Sequence, residues 1–207
     1  MDQRVPQEIL DAVVDLLKDD KPALKALSLI SRCFTPRTRV HLFYSITPGE
    51  AQWNEGMLDL LRSSPSLIVH IRRLRFLYLC SYDSALIAII ELLVNPIHLV
   101  ISWRKWGDLP EQFLQALHSR AYASIVLSDS KFTSFSELAS LLANSTHLER
   151  LAVYKYEPCF RDTDPSSCTH QHPSPGPPVD HLILFDLDGC LYHLLSGYSF
   201  TSMPGIH

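Results

Sequence analysis

The chain has 207 residues, 46% of them hydrophobic and 19% charged, with a formal net charge of −4. That apolar fraction supplies a substantial core, and the charged fraction is too low for a mainly disordered chain. Lys and Arg are scattered, with "RRLR" at Arg72 to Arg75 the densest group, which argues against nucleic acid as the main partner because phosphate binding needs clustered cations.

The opening "MDQRVPQEIL" has neither the basic start nor the apolar run of a secretory signal. Cys33, Cys80, Cys159, Cys168 and Cys190 are odd in number and irregularly spaced. Reduced thiols are the simplest reading, and they imply an intracellular protein, cytoplasmic or nuclear. A first helix is expected after Pro6, where Ile9, Leu10, Val13, Val14, Leu16 and Leu17 recur at helical spacing. "DDKP" breaks it, and Pro22 opens a second helix carrying Leu24, Leu27, Leu29 and Ile30. Thr35-Pro36 reads as an N-cap and first-turn proline for a third helix with Val40, Leu42 and Phe43. Helices totalling about forty residues do not hide this much apolar surface unaided, and domains so small usually need a staple or a partner. With no disulfide or metal cluster in the segment, a partner protein is the economical explanation.

Residues 1–47 closely resemble an F-box. The residues that carry the likeness are Val5-Pro6, Glu8-Ile9, Leu24 with Leu27, "LISRCF" from Leu29 to Phe34, and "LFYSI" from Leu42 to Ile46. Val5 stands where the family usually has Leu, and Phe43-Tyr44 where Trp is common; both are apolar exchanges. The wording is most similar to F-box proteins of mushroom-forming fungi. The resemblance implies docking on the SKP-family adaptor of a cullin-RING (SCF-type) ubiquitin ligase. The adaptor-binding residues it implies are Val5, Pro6, Ile9, Leu10, Val13, Leu24 and Leu27. Packed within an ordinary helical hairpin, the same side chains would instead form a core.

From residue 64 to residue 157 short strand-like runs alternate with helix-like runs. "LRFLYL", "IHLVIS", "YASIVL" and "LERLAV" begin at residues 74, 97, 122 and 148, spaced 23, 25 and 26 apart. These intervals fall within the roughly 20–29-residue period of leucine-rich repeats, whose strand template is Leu-x-x-Leu-x-Leu. Between them lie "SALIAIIELLV", "LPEQFLQALHS" and "FSELASLLANS", the last with Ser134 as a candidate cap and Leu138, Leu141 and Leu142 facing inward. Such units stack and bury their faces on one another. The expected fold is mixed α/β, an N-terminal three-helix F-box followed by a short, irregular leucine-rich-repeat-like solenoid. The alternative is a doubly wound sheet, and the absence of a glycine-rich strand-to-helix turn disfavours its nucleotide-binding form. The apolar stretch from Ser84 to Trp103 contains Glu91, Asn95, Pro96 and His98. These are costly in lipid, so it reads as helix, turn and strand rather than a membrane span.

Residues 158–179 are proline-rich and polar, a loop or disordered insertion. Cys159, Cys168, His170 and His172 within it lack the paired spacing of zinc ligands. Residues 180–207 hold the last partial repeat and a tail. There "LILFDLDGC" resembles the opening of a haloacid-dehalogenase-type phosphatase, with Asp186 as implied nucleophile and Asp188 as implied acid/base on a bound magnesium. It also fits the repeat template with Leu182, Phe185 and Leu187 at the apolar positions and Cys190 at the closing one. Only 19 residues follow Asp188, too few for the phosphate- and metal-holding groups such chemistry requires. No polar cap follows the last run, which suits a truncated end or one capped by a partner. The expectation is a non-catalytic substrate receptor with no cofactor and no metal, an unknown protein client, and neither nucleic acid nor membrane as partner. A scaffold without ubiquitylation clients is the second reading. Trp53, Trp103, Trp106 and Tyr154 are candidate hot-spot aromatics. His70, His98, His118 and His147 show no spacing suggestive of catalysis.

Overall fold

Three short helices open the chain. Residues 5–77, 82–94, 96, 98–102, 106–130, 135–156 and 179–187 are described by the computed structural model. Helix α1 (Gln7–Leu16) starts directly after Pro6. Helix α2 (Lys21–Ile30) is capped by Asp20, whose carboxylate accepts the Ala23 N–H at 2.9 Å, and Pro22 sits in its first turn, where no N–H is missed. Helix α3 (Thr35–Phe43) begins one residue earlier than its sequence signal suggests, with Phe34 at the cap position. The Thr35 hydroxyl is not a cap acceptor. It donates back to the carbonyls of Ser28 (3.4 Å) and Ser31 (3.5 Å), tying α3 to the end of α2. Helix α3 packs on both α1 and α2, and on the 3-10 helix Pro65–His70 that follows later.

Strands and helices then alternate: β1 (Ser45–Ile46), α4 (Ala51–Ser63), β2 (Arg73–Phe76), α5 (Ser84–Leu92), β3 (His98–Ser102), α6 (Glu111–His118), β4 (Ser124–Ser128), α7 (Phe135–Leu142), β5 (Leu148–Tyr156) and β6 (Val179–Leu187). All pairings are parallel, in the order β1-β2-β3-β4-β5-β6. A doubly wound sheet reverses its strand order at a switch point. Here every strand lies beside its neighbour in sequence, so successive crossovers stack their helices side by side, α4 on α5, α5 on α6 and α6 on α7. The molecule is therefore a mixed α/β chain: packed N-terminal helices, then an all-parallel sheet alternating with helices, consistent with a leucine-rich-repeat-like solenoid. Strand β1 lies inside the segment that the sequence groups with the helices, and α4 occupies a stretch the sequence left unassigned.

Register corrects the repeat alignment. One core row runs Ile46, Leu74, Leu99, Ile125, Leu151, Leu182, and the next runs Phe76, Ile101, Leu127, Val153. The template position three residues before the first row is also buried, in Ile71, Pro96, Tyr122, Leu148 and Val179. The repeats thus begin at 71, 96, 122, 148 and 179, at intervals of 25, 26, 26 and 31 residues. The starts expected at 74 and 182 are each three residues late, and the one expected at 97 is one residue late. Leu77, which the later register would bury, is 37% exposed, because strand side chains alternate faces and a shift by an odd number inverts them.

The core lies between the sheet and its helices. Leu86, Ile89 and Ile90 of α5 and Phe113 and Leu117 of α6 cover the inward rows. Phe113 meets Phe76 edge-on at 5.2 Å and Tyr82 at 4.7 Å. Among the described residues no helix is long and apolar enough to cross a membrane; the stretch from Ser84 contributes α5 and β3.

Candidate docking surfaces

Helix α1 has two faces. Val14 is fully buried, and Leu10 and Leu17 are half-buried. On the opposite side Val5, Ile9, Val13 and Leu16 are exposed at 55%, 55%, 43% and 86%. Ile9, Val13 and Leu16, four and three residues apart, make one stripe along α1, and Val5 stands just ahead of the helix start. Helix α2 adds Leu29 and Ile30, both exposed, at its C-terminal end. Single exposed apolar residues are ordinary on a protein surface; a contiguous stripe of them is the informative case.

Of the residues implied by the F-box resemblance, Val5, Pro6, Ile9 and Val13 lie on open surface, and Leu10 and Leu27 are half-buried. Leu24 has no exposed surface at all, so it packs inside the helical trio. Leu16, Leu29 and Ile30 belong to the open surface and were not among the implied set. Their position at the helical period from Ile9 and Val13, or beside the end of α2, was the signal available for them.

A polar clamp holds α1 in this orientation. Asp15 on α1 accepts two hydrogen bonds from the Arg37 guanidinium of α3, Nε to Oδ1 at 2.5 Å and Nη2 to Oδ2 at 2.7 Å. Its Oδ1 also meets His41 Nε2 at 2.7 Å. Arg37 and then His41 hold the Asp15 carboxyl well below the usual carboxylate range. The bidentate fork ties α1 to α3 in the orientation that buries Val14.

The second surface is the sheet face turned away from the helices. Its first row is Ser45, Arg73, His98, Ser124, Arg150, His181, and its second is Arg75, Val100, Val126, Ala152, Ile183. Ser102 and Ser128 then share a hydrogen bond at 2.6 Å beside the half-buried Tyr154. The Arg73 guanidinium lies over the Tyr44 ring at 5.5 Å, and its Nε is buried without a hydrogen-bond partner. Partial burial pushes the His98 imidazole below its usual pKa of 6.5, and Arg73 and Arg150 push the same way against Glu149.

The remaining candidates sort by position. Trp106 is buried, stacked on His118, while Trp53 is 40% exposed on α4. Cys33 is a free, half-buried thiol. No cluster of three or more His, Cys, Asp or Glu side chains with metal-binding geometry occurs among the described residues. Asp186 lies on β6, an edge of the described sheet, which pairs with β5. Asp188, Cys80, Cys159, Cys168, Cys190, His170, His172, Trp103 and Ser134 lie outside the described residues. Comparison with protein-family models, with curated proteins and with solved structures returns no match for this chain.

Proposed function

We propose that this chain is the substrate-receptor subunit of a cullin-RING ubiquitin ligase. Residues 1–47 act as an F-box that docks on an SKP-family adaptor, and the repeat region binds the client. The protein carries no catalytic residue of its own. It works by proximity, raising the effective concentration of a client lysine near the charged conjugating enzyme. An intracellular location, cytoplasmic or nuclear, goes with that role.

The observation that carries this reading is the set of exposed apolar side chains Val5, Ile9, Val13 and Leu16, with Leu29 and Ile30, on helices that bury Val14 and Leu24 in the trio. Full burial of each such side chain contributes about 1.5–3 kcal/mol, enough to drive association once the loss of rigid-body freedom is subtracted. A scaffold that docks in the same way without a client shares this surface and differs only in lacking a ubiquitylated target.

Co-purification with an SKP-family adaptor tests the reading. Wild type is expected to retain the adaptor, and Pro6→Ala plus Ile9→Asp to lose it, by at least about tenfold, since one buried charge costs more than the ~1.4 kcal/mol that tenfold represents. Both positions are exposed, so the variant's unfolding midpoint should stay near that of wild type. No retention by wild type, or equal retention by the variant, removes the basis for the ligase role.

A further inference from the structure

Helix α2 turns its surface differently from what the F-box resemblance implies. Leu24 is buried and Leu27 half-buried, whereas Lys21, Lys25 and Leu29 are exposed in one row, and Pro22, Ala26 and Ile30 in the row beside it. Residues four apart share a helical face, so these rows form the outward side of α2, with lysines along its first half and aliphatic groups at its end. Arg32, also exposed, follows directly after that end. Gln7 Nε2 donates to the Cys33 carbonyl at 3.0 Å, which sets the start of α1, with Val5 and Ile9, beside the same end. From Lys21 to Gly49 the chain has five Lys or Arg and no Asp or Glu. Of the preceding carboxylates, Asp20 is engaged as the α2 cap, Asp15 is held by Arg37, and Asp11 accepts from Gln7. Asp19, ahead of the helix start, and Glu8, on α1, are exposed; among the described residues neither forms an ion pair with Lys25 or Arg32.

We propose that the outward side of α2 lies in an apolar groove of the adaptor whose rim carries carboxylates opposite Lys25 and Arg32. Leu29 and Ile30 fill the groove, and the small Ala26 side chain lets the helix backbone approach its wall. Helices docked in grooves use anchors at this spacing on one face, and an apolar centre inside a polar rim is the common anatomy of an interface. Charge complementarity sets the rim, because the cations flanking Leu29 and Ile30 have no carboxylate of their own chain to pair with. Area also calls for α2. The four exposed aliphatic side chains of α1, each worth on the order of 100 Å², fall well short of the roughly 800 Å² that each partner of a stable interface buries. The proposal rests on the receptor reading and adds to it the chemistry of the adaptor's face and the α2 residues that meet it.

Titration of the full chain into a purified SKP-family adaptor, read as a dissociation constant by calorimetry, tests this. Binding is expected to weaken as salt rises. Lys25→Glu plus Arg32→Glu should weaken it at least about tenfold, since like charges then meet across the contact, and Leu29→Ser plus Ile30→Ser by a similar factor. Arg62→Glu plus Arg75→Glu makes the same change of net charge at exposed positions outside the trio and should leave binding within about twofold. Every substituted position is exposed, so the variants should unfold near the wild-type midpoint. If wild type binds and either α2 variant binds equally well, or the Arg62 and Arg75 reversal weakens binding as much as the Lys25 and Arg32 reversal, the groove is overturned while the ligase role stands. If wild type does not bind the adaptor at low salt, both fall. Sedimentation with phosphatidylserine vesicles runs alongside: wild type that binds the vesicles and not the adaptor assigns this face to a lipid surface and overturns the proposal.

Discussion

His118 lies against the Trp106 indole, ring centroids 6.4 Å apart and planes 16° from parallel. Its Nε2 is buried without a hydrogen-bond partner. Burial pushes its pKa below the usual 6.5, with Glu137 pulling the other way, so the fold prefers the neutral ring. His98 on the open sheet face is shifted in the same direction. For a base whose folded pKa is depressed, the unfolded chain takes up the proton first as pH falls. Stability is therefore complete above about pH 6.5 and declines below it, down to the folded pKa. The unfolding midpoint is expected to drop between about pH 7.5 and about pH 5.5, and His118→Phe, which keeps a ring on the indole but cannot titrate, should drop less. An equal drop in the two proteins, by thermal unfolding monitored with circular dichroism, would show that His118 is not among the groups responsible. Asp15 behaves in the opposite sense: its depressed carboxyl contributes above the ordinary carboxylate range and the contribution is lost as pH falls. Its half-exposed setting makes that contribution small.

Among the elements, the join between α4 and its neighbours depends on one buried side chain. Asn54 has no exposed surface. Its Oδ1 accepts the Gly49 N–H at 3.3 Å and its Nδ2 donates to Asp83 Oδ2 at 3.1 Å. Asp83 in turn caps α5, accepting the Leu86 N–H at 2.8 Å. One amide thereby links the turn after β1 to the start of the next helix, a task no apolar residue performs. A similar polar tie recurs in the last described repeats, where the Ser145 hydroxyl accepts the Tyr122 N–H at 3.0 Å and the Tyr122 hydroxyl donates to the Leu117 carbonyl at 3.1 Å. Asn54→Ala should cost about 1–3 kcal/mol, since it strips partners from buried polar groups. Urea unfolding measures this, and a cost within about 0.5 kcal/mol, the range of ordinary surface changes, would mean that Asn54 does not hold these elements together.

At the scale of the molecule, stability is unevenly spread. The core of the solenoid is continuous from Ile46 to Val179, whereas the buried Val14 and Leu24 of the helical trio stand apart from it. Helix α1 reaches the rest of the chain through α3 and the Asp15–Arg37 clamp. Repeat arrays are stabilised unit by unit, so local opening should follow this division. Hydrogen exchange is expected to be faster in α1 than in β3 and β4, and addition of an SKP-family adaptor should slow α1 while leaving β4 unchanged. Uniform protection across α1 and β4 in the free protein would show that the trio and the solenoid open as a single unit.

Element type was legible along most of the chain. Helical spacing with Pro6, Pro22 and Thr35-Pro36 as start signals identified α1, α2 and α3, and short apolar runs of near-constant period identified β2 to β6 and the helices between them. The two-residue strand β1 was not legible, because so short a run carries no periodicity and its pairing partner, Arg73 and Leu74, is distant in sequence. Nor was the repeat register: "LRFLYL" satisfies the Leu-x-x-Leu-x-Leu template from Leu74 as well as Ile71 does one half-turn of the pattern earlier, and letters alone do not distinguish them. Only pairing with a neighbouring strand does, because a slip of three residues exchanges the inward and outward faces. In the same way, the sequence marks α1 with an apolar face wider than one contact can cover, and packing against α3 determines that Val14 goes in while Ile9, Val13 and Leu16 stay out. Local periodicity is a property of the chain, but burial depends on which surfaces meet, and that is decided only when the whole fold assembles.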